Sequence, residues 1–297
     1  MITTPINSNL PFALSVPTLQ PIHLGMEGMT LGAAIETLIA AKSAANMRPR
    51  YLTGLRSYLK AFARGREELP LQAVSVETVE AWFTERQEKP VTMASNIGRL
   101  SSLFAFSERR RWIPRNPCVY LERPRVDRAA PRILTVEQAG ALLASVRRDR
   151  PRQLAFFTLA LYVGIRPGEI ERLDWSCVDL VAGRVRIDAA AAKTRRRRII
   201  PLHPKAHALL QESSANRAML PVCKMTQRRY LDYARAVLGF TAWPQDCMRH
   251  TAASFLLELH RDAGHVALML GNSPSVLMSN YWNLVTPEDA AKFWAIS

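Results

Sequence analysis

Residues 160–175 read ALYVGIRPGEIERLDW, and they place a permanent charge at the end of an apolar segment. The run leading into them, RQLAFFTLALYVG at 152–164, predicts a strongly apolar helix that stops at a glycine. Gly164 permits a tight turn there. Arg166 follows it, and Glu169 stands three residues on, placed to buttress the guanidinium.

Outward from this stretch the pattern is mostly helical. Thr135, with Gln138 three residues on, is a capping-box start for a helix upstream. Downstream, residues 184–188 and 198–202 have strand composition and bracket AAAAKTRRR, which predicts a β-hairpin whose turn carries four basic residues. Helical patterns resume at 204–210, 227–238, 247–259 and 266–270. Thr286-Pro287 starts a final helix, with Thr capping and Pro at the first position.

The N-terminal half reads differently. Residues 1–28 hold four prolines and little periodicity, the pattern of an extended tail. Then Leu31, Ile35, Leu38 and Ile39 repeat at helical spacing behind Thr30, and Leu52, Leu55, Leu59 and Phe62 do so in the next segment. A third helix follows Ser75 and a fourth follows Thr92, with short connections, as in a small helical bundle. PRNPCVYLERPRVDR at 114–128 has three prolines, four arginines and no periodicity, and reads as a linker. The expected organisation is a tail at 1–28, a helical bundle at 29–116, a linker at 117–131 and a second domain at 132–297. The fold class is mainly α with a small antiparallel sheet.

Forty Lys and Arg against twenty-five Asp and Glu leave a net charge of +15, which makes a nucleic acid the default partner through counterion release. An anionic membrane would also suit a basic chain, but no basic amphipathic helix with a Trp/Phe/Leu face is present. Arg48, Arg50, Arg56 and Lys60 cluster around the second helix, either as a solvated face or as a phosphate-contacting one. There is no run of eighteen apolar residues and no basic n-region, so an intracellular location is expected. The four cysteines form no CxxC or Cys/His pair, which argues against zinc and against a disulfide framework. GxxxxGK[ST], GxGxxG, HExxH and GxSxG are all absent.

What remains is arginine. Cleaving a phosphodiester without a metal needs guanidinium forks on the non-bridging oxygens, an in-line nucleophile and an acid for the leaving 5′ oxygen. Arg166, Lys193 in the hairpin turn and Arg249 at a helix start offer the cationic part of such a set. Tyr281, nine residues after Asn272, is either a core aromatic or the nucleophile.

At these positions the chain resembles the tyrosine recombinase, or phage integrase, family. YVGIRPGEIERLDWSCVDL resembles the family's TGLRxxELxxLxWxDxD box through Gly164, Arg166, Glu169, Leu173, Trp175 and Asp179. KTRRRRIIPL resembles its lysine turn and strand, DCMRHTAASFLL its HxLRHTFAT box, and LGNSPSVLMSNYWNLV its LGHSSxxTTxxYxHV box, all in the family's order. LFAFSERRRWIPRNP resembles the end of its core-binding domain, so the likeness spans roughly residues 28–297.

The resemblance implies a SAM-like core-binding bundle and an α+β catalytic domain that together clamp duplex DNA as a homo-oligomer, a tetramer, with a directionality or host DNA-bending factor as a further partner. It implies that Tyr281 forms a 3′-phosphotyrosyl link, that Arg166 and Arg249 clamp the phosphate, and that Lys193 is the general acid. Neither metal nor cofactor is implied. Arg195, Arg196, Arg197 and Arg198 are expected to face DNA, Glu169 to support Arg166, and residues 286–297 to dock on a neighbouring protomer. A cytoplasmic, nucleoid-associated location in a bacterium or phage follows.

Two positions depart from the family pattern. Asp246 stands where the family has a histidine that helps accept the nucleophile's proton, and Asn272 where it has one that hydrogen-bonds the phosphate. Asn272 can still donate through its amide. Asp246 is either an N-cap for the helix at Cys247 or a cap with a catalytic role as well. His250 and His265 are candidates for a substituted base. The rival readings are a DNA-binding protein of the same fold with weakened catalysis, and a type IB topoisomerase-like enzyme.

Overall fold

Thr30 opens the first helix, α1 (Leu31–Ala44), by accepting a 3.2 Å hydrogen bond from the Ala33 amide. α2 (Pro49–Ala63) begins on a proline, α3 (Val76–Arg86) on the Ser75 cap, and α4 (Pro90–Arg109) again on a proline. The fourth helix therefore starts ahead of Thr92, because the preset φ of Pro90 nucleates the turn without a polar cap. These elements belong to the computed structural model of the chain, which describes residues 28–125, 130–192, 196–215 and 224–297. The expected tail, but for residue 28, lies outside them. Contacts divide the chain into two units, Met1–Asp127 and Arg128–Ser297.

In the first unit the four helices close around Leu59, Phe62, Leu100 and Phe104, all buried. Trp82 meets the rings of Tyr58 and Phe62 edge-on at 5.4 and 5.2 Å. Arg50, Arg56 and Lys60 are exposed on α2, and Arg48 sits half-buried at its N-cap. Glu36 of α1 accepts both Arg56 at 3.1 Å and Lys60 at 3.0 Å, so part of this basic face carries its own counter-charge.

The second unit opens with α5 (Val136–Asp149), where Thr135 and Gln138 form the reciprocal capping box. α6 (Leu154–Leu161) follows with all eight residues buried, surrounded by α5, α8 (Pro204–Ala215) and α10 (Cys247–His260). A helix apolar on every face can be stable only in that position. Between α6 and α8 come a single turn, α7 (Pro167–Ile170), and a three-stranded antiparallel sheet. Its strands are β1 (Val178–Asp179), β2 (Arg184–Ile187) and β3 (Arg198–Pro201), with Val185 opposite Ile200 and Ile187 opposite Arg198. β1, at two residues, is too short to show a periodicity. α9 (Lys224–Val237), α11 (Ala263–Leu270), α12 (Pro274–Tyr281) and α13 (Pro287–Trp294) complete the unit. No described helix is long and apolar enough to cross a membrane.

The last helix departs from its expected place. Phe293 of α13 is fully buried in its own unit, stacked on Phe255 at 3.9 Å and on Tyr162 at 4.8 Å, with Trp294 and Ile296 packed partly buried beside it. The apolar face assigned to a neighbouring protomer is satisfied within the chain. Phe293→Ala should destabilise this unit by about 3–5 kcal/mol in a urea titration. A loss below about 1 kcal/mol would mean that α13 does not rest there.

Candidate active site

Gly164 ends the α6 segment with φ at +71°, and a β-carbon there would lie 2.5 Å from Leu270 Cδ2 and 3.1 Å from Ala252 Cβ. Only glycine allows both the turn and the close approach. Two residues later Arg166 precedes Pro167, which holds it extended (ψ 139°) at the N-cap of α7. The guanidinium is thereby aimed across the unit, and Nη2 donates to Asn272 Oδ1 at 2.9 Å.

Arg249, in the first turn of α10, reaches the same oxygen: its Nη2 donates to Asn272 Oδ1 at 3.0 Å and to the Leu270 carbonyl at 2.6 Å, and its Nη1 to the Gly164 carbonyl. Guanidiniums only donate, so the amide must turn its oxygen towards them and its nitrogen away. Arg249 is almost fully buried. Burial, followed by the neighbouring Arg166, pushes its pKa below the ordinary arginine value while Glu169 opposes the shift. Pushed down to about 9, the group still carries its charge at neutral pH.

Glu169 supplies the counter-charge. It is 1% exposed, sits 3.5 Å from Arg166 Nη1, and accepts Arg198 Nη2 at 2.5 Å and Nη1 at 3.4 Å. Arg198 also donates from Nε to the Met269 carbonyl at 3.0 Å. Arg198, expected to face DNA, is therefore buried and committed, because its place on β3 points it inward opposite Ile187. By contrast Arg166 Nη1 is buried and, among the described residues, has no hydrogen-bond partner beyond a longer ion-pair contact to Glu169.

Tyr281, the last residue of α12, is 6% exposed, and its hydroxyl lies 2.8 Å from His250 Nδ1. Burial raises its pKa above the ordinary phenol value; Arg249 and Arg166 pull it down and Asp246 pushes it up. His250 is shifted below the ordinary imidazole value by burial, against Asp246 and with Arg249. Asp246 occupies the N-cap position of α10 in a left-handed conformation (φ 52°) and its side chain makes no capping hydrogen bond. The cap reading is thus corrected: side-chain capping needs an extended backbone at that residue. His265, the other candidate base, is exposed and pairs its ring with His260 at 4.8 Å.

Lys193 and Arg195 lie outside the described residues. Arg196 and Arg197 are exposed and line an open groove of about 800 Å³ together with Leu268, Asn272 and Ser273, so both share a groove with the amide that bridges the arginine pair. Among the described residues no group of His, Cys, Asp and Glu could hold a metal ion. Sequence reasoning missed the two-arginine bridge at Asn272 and the partnership of Arg198 with Glu169. Neither leaves a local signal, since the partners stand far apart in the chain.

With this geometry in place, residues 132–286 match the model of the phage integrase family. The chain belongs to the phage integrase family. Its relatives include the tyrosine recombinase XerC of Haemophilus ducreyi, 29% identical over 68% of this chain and 72% of the relative. That of Corynebacterium glutamicum is 27% identical over 80% of each. Among solved structures, a lambda integrase dimer bound to a COC′ core site superposes with a TM-score of 0.68 at 18% identity, covering 88% of this chain and 80% of that one. The Tn1549 transposon integrase in complex with a circular-intermediate DNA gives 0.68 at 16%, covering 91% and 100%. This integrase-family chain is a site-specific tyrosine recombinase, an enzyme that cleaves and rejoins DNA. Glu169→Ala would leave Arg198 uncompensated in the interior. It should cost about 3–5 kcal/mol of stability in the second unit, measured by urea unfolding; a change under about 1 kcal/mol would show that the pair is not buried as described.

Proposed function

We propose that this recombinase cleaves duplex DNA with Tyr281 as nucleophile and with Arg166 and Arg249 holding the scissile phosphate. The observation that carries the reading is the convergence of both guanidiniums on one amide oxygen, Asn272 Oδ1. Two like charges brought that close in a poorly solvated site repel, and a phosphate bearing a full negative charge is a better acceptor than an amide. Arg166 Nη1, which makes no hydrogen bond among the described residues, offers a further donor for it. Asn272 Nδ2, turned away from the arginines, can donate to the phosphate as well.

Tyr281 Oη attacks phosphorus and the 5′ oxygen leaves, protonated by Lys193 as general acid. The product is a 3′-phosphotyrosyl enzyme and a free 5′-hydroxyl. The bond energy is kept in the covalent link, so another strand's hydroxyl can reverse the step without ATP. Arg196 and Arg197 beside the groove, and Arg50 on α2, are exposed where they can take further backbone phosphates. A lambda integrase structure contains a tetramer bound to a Holliday junction, and we extend that assembly to this chain, acting on DNA in the cytoplasm.

The test is a nicked duplex carrying the DNA that flanks this protein's gene. Wild type should leave a covalent protein–DNA adduct, Tyr281→Phe none, and Arg166→Ala or Arg249→Ala should slow adduct formation by about 10²–10³-fold. An adduct that persists in Tyr281→Phe would overturn the assignment of the nucleophile.

A further inference from the structure

We infer that His250 is the proton acceptor for Tyr281, taking the place of the histidine that this chain lacks at position 246. The inference rests on Tyr281 being the nucleophile. A phenol attacking phosphorus must lose its proton as the P–O bond forms. The nearest candidate by sequence pattern, Asp246, fits badly: it is exposed, its backbone is left-handed, and no described hydrogen bond joins its side chain to the tyrosine.

His250 lies one helical turn further on, and its own amide donates to the Asp246 carbonyl at 2.8 Å. Its Nδ1 is 2.8 Å from Tyr281 Oη, and the two rings lie 5.6 Å apart at 35°. General-base work requires that distance. In the neutral ring with the proton on Nε2, the Nδ1 lone pair accepts the Tyr281 hydroxyl.

The step balances within these groups. Tyr281 Oη bonds to phosphorus, its proton passes to His250 Nδ1, and the P–O5′ bond breaks with the electron pair leaving on the 5′ oxygen, which the acid protonates. Rejoining returns the proton from the imidazolium to Tyr281. The groups facing His250 divide by sign: Asp246 stabilises the imidazolium, while burial and Arg249 disfavour it. At neutral pH the resting ring is therefore an unprotonated base. Asp246 is then a positioning residue whose charge acts on the histidine and on the tyrosine.

The sign of the pH dependence follows. Adduct formation needs neutral His250, so the rate should fall as pH drops through its pKa, which lies below the ordinary imidazole value. Removing the Asp246 carboxylate removes a group that raises that pKa, so in Asp246→Asn the acid limb should move to lower pH.

The experiment measures single-turnover adduct formation against pH on the nicked flanking-DNA duplex, using the full chain, with duplex retention and melting temperature as checks on folding. His250→Gln and His250→Asn should slow the adduct by about 10²-fold or more and abolish the acid limb. In parallel, ¹⁵N NMR of the histidines in the wild-type chain should place the non-protonated nitrogen of His250 at Nδ1, with a titration midpoint that moves in Tyr281→Phe. Rates within about threefold of wild type and an unmoved acid limb in His250→Gln, or an NMR midpoint indifferent to Tyr281→Phe, would overturn the role of His250 while leaving Tyr281 as nucleophile. A wild type that forms no adduct would overturn the nucleophile assignment and this inference with it.

Discussion

A carboxylate at 1% exposure, Glu169, stands between two arginines that the interior would otherwise not hold. Taking an ion out of water costs several kcal/mol even after relaxation, and two neighbouring guanidiniums add mutual repulsion. With Arg198 on one side and Arg166 on the other, Glu169 offsets one and a share of the second. The remaining positive excess falls on the Arg166–Arg249 pair. For the phosphate site proposed above, under-neutralisation suits an anionic ligand better than balance, and among the described residues Arg166, Arg198 and Arg249 gather around Glu169.

The tyrosine side of the site obeys the same electrostatics with opposite consequences. Burial keeps the phenol protonated, and the nearby arginines favour its ionised form. The attack proposed for this phenol therefore depends on a base that is itself uncharged at rest. The imidazole against the hydroxyl meets that condition because burial lowers its pKa by the same desolvation that raises the phenol's. Asp246 and Arg249 act on both groups, so the tyrosine and the histidine respond to one local field.

Much of the architecture was legible in the chain. The capping box at Thr135, the caps at Thr30, Ser75 and Thr286, and the apolar run into Gly164 each stand where local chemistry put them. The mainly helical class with a small antiparallel sheet follows from those elements, and the likeness of four sequence boxes leads to the family. The misreadings have physical causes. Arg198 belongs to a run of four arginines that looks like a solvated turn, yet strand alternation turns this one inward, and a run of identical residues hides an alternation. Asp246 has the composition of a cap, but a positive φ is invisible in a residue name. Phe293 advertises an apolar face without saying which core takes it. The bridge at Asn272 joins residues more than a hundred positions apart, where no periodicity reaches.

Two of the acceptors that fix Arg249 are main-chain carbonyls, those of Gly164 and Leu270. A carbonyl is carried by every residue, so these contacts survive any substitution that keeps the path of the chain. Side chains around the guanidinium can drift so long as the turn after α6 and the end of α11 hold their course. The arginine's cradle is thus peptide backbone, and a substitution disturbs it only by bending the chain at one of those two places.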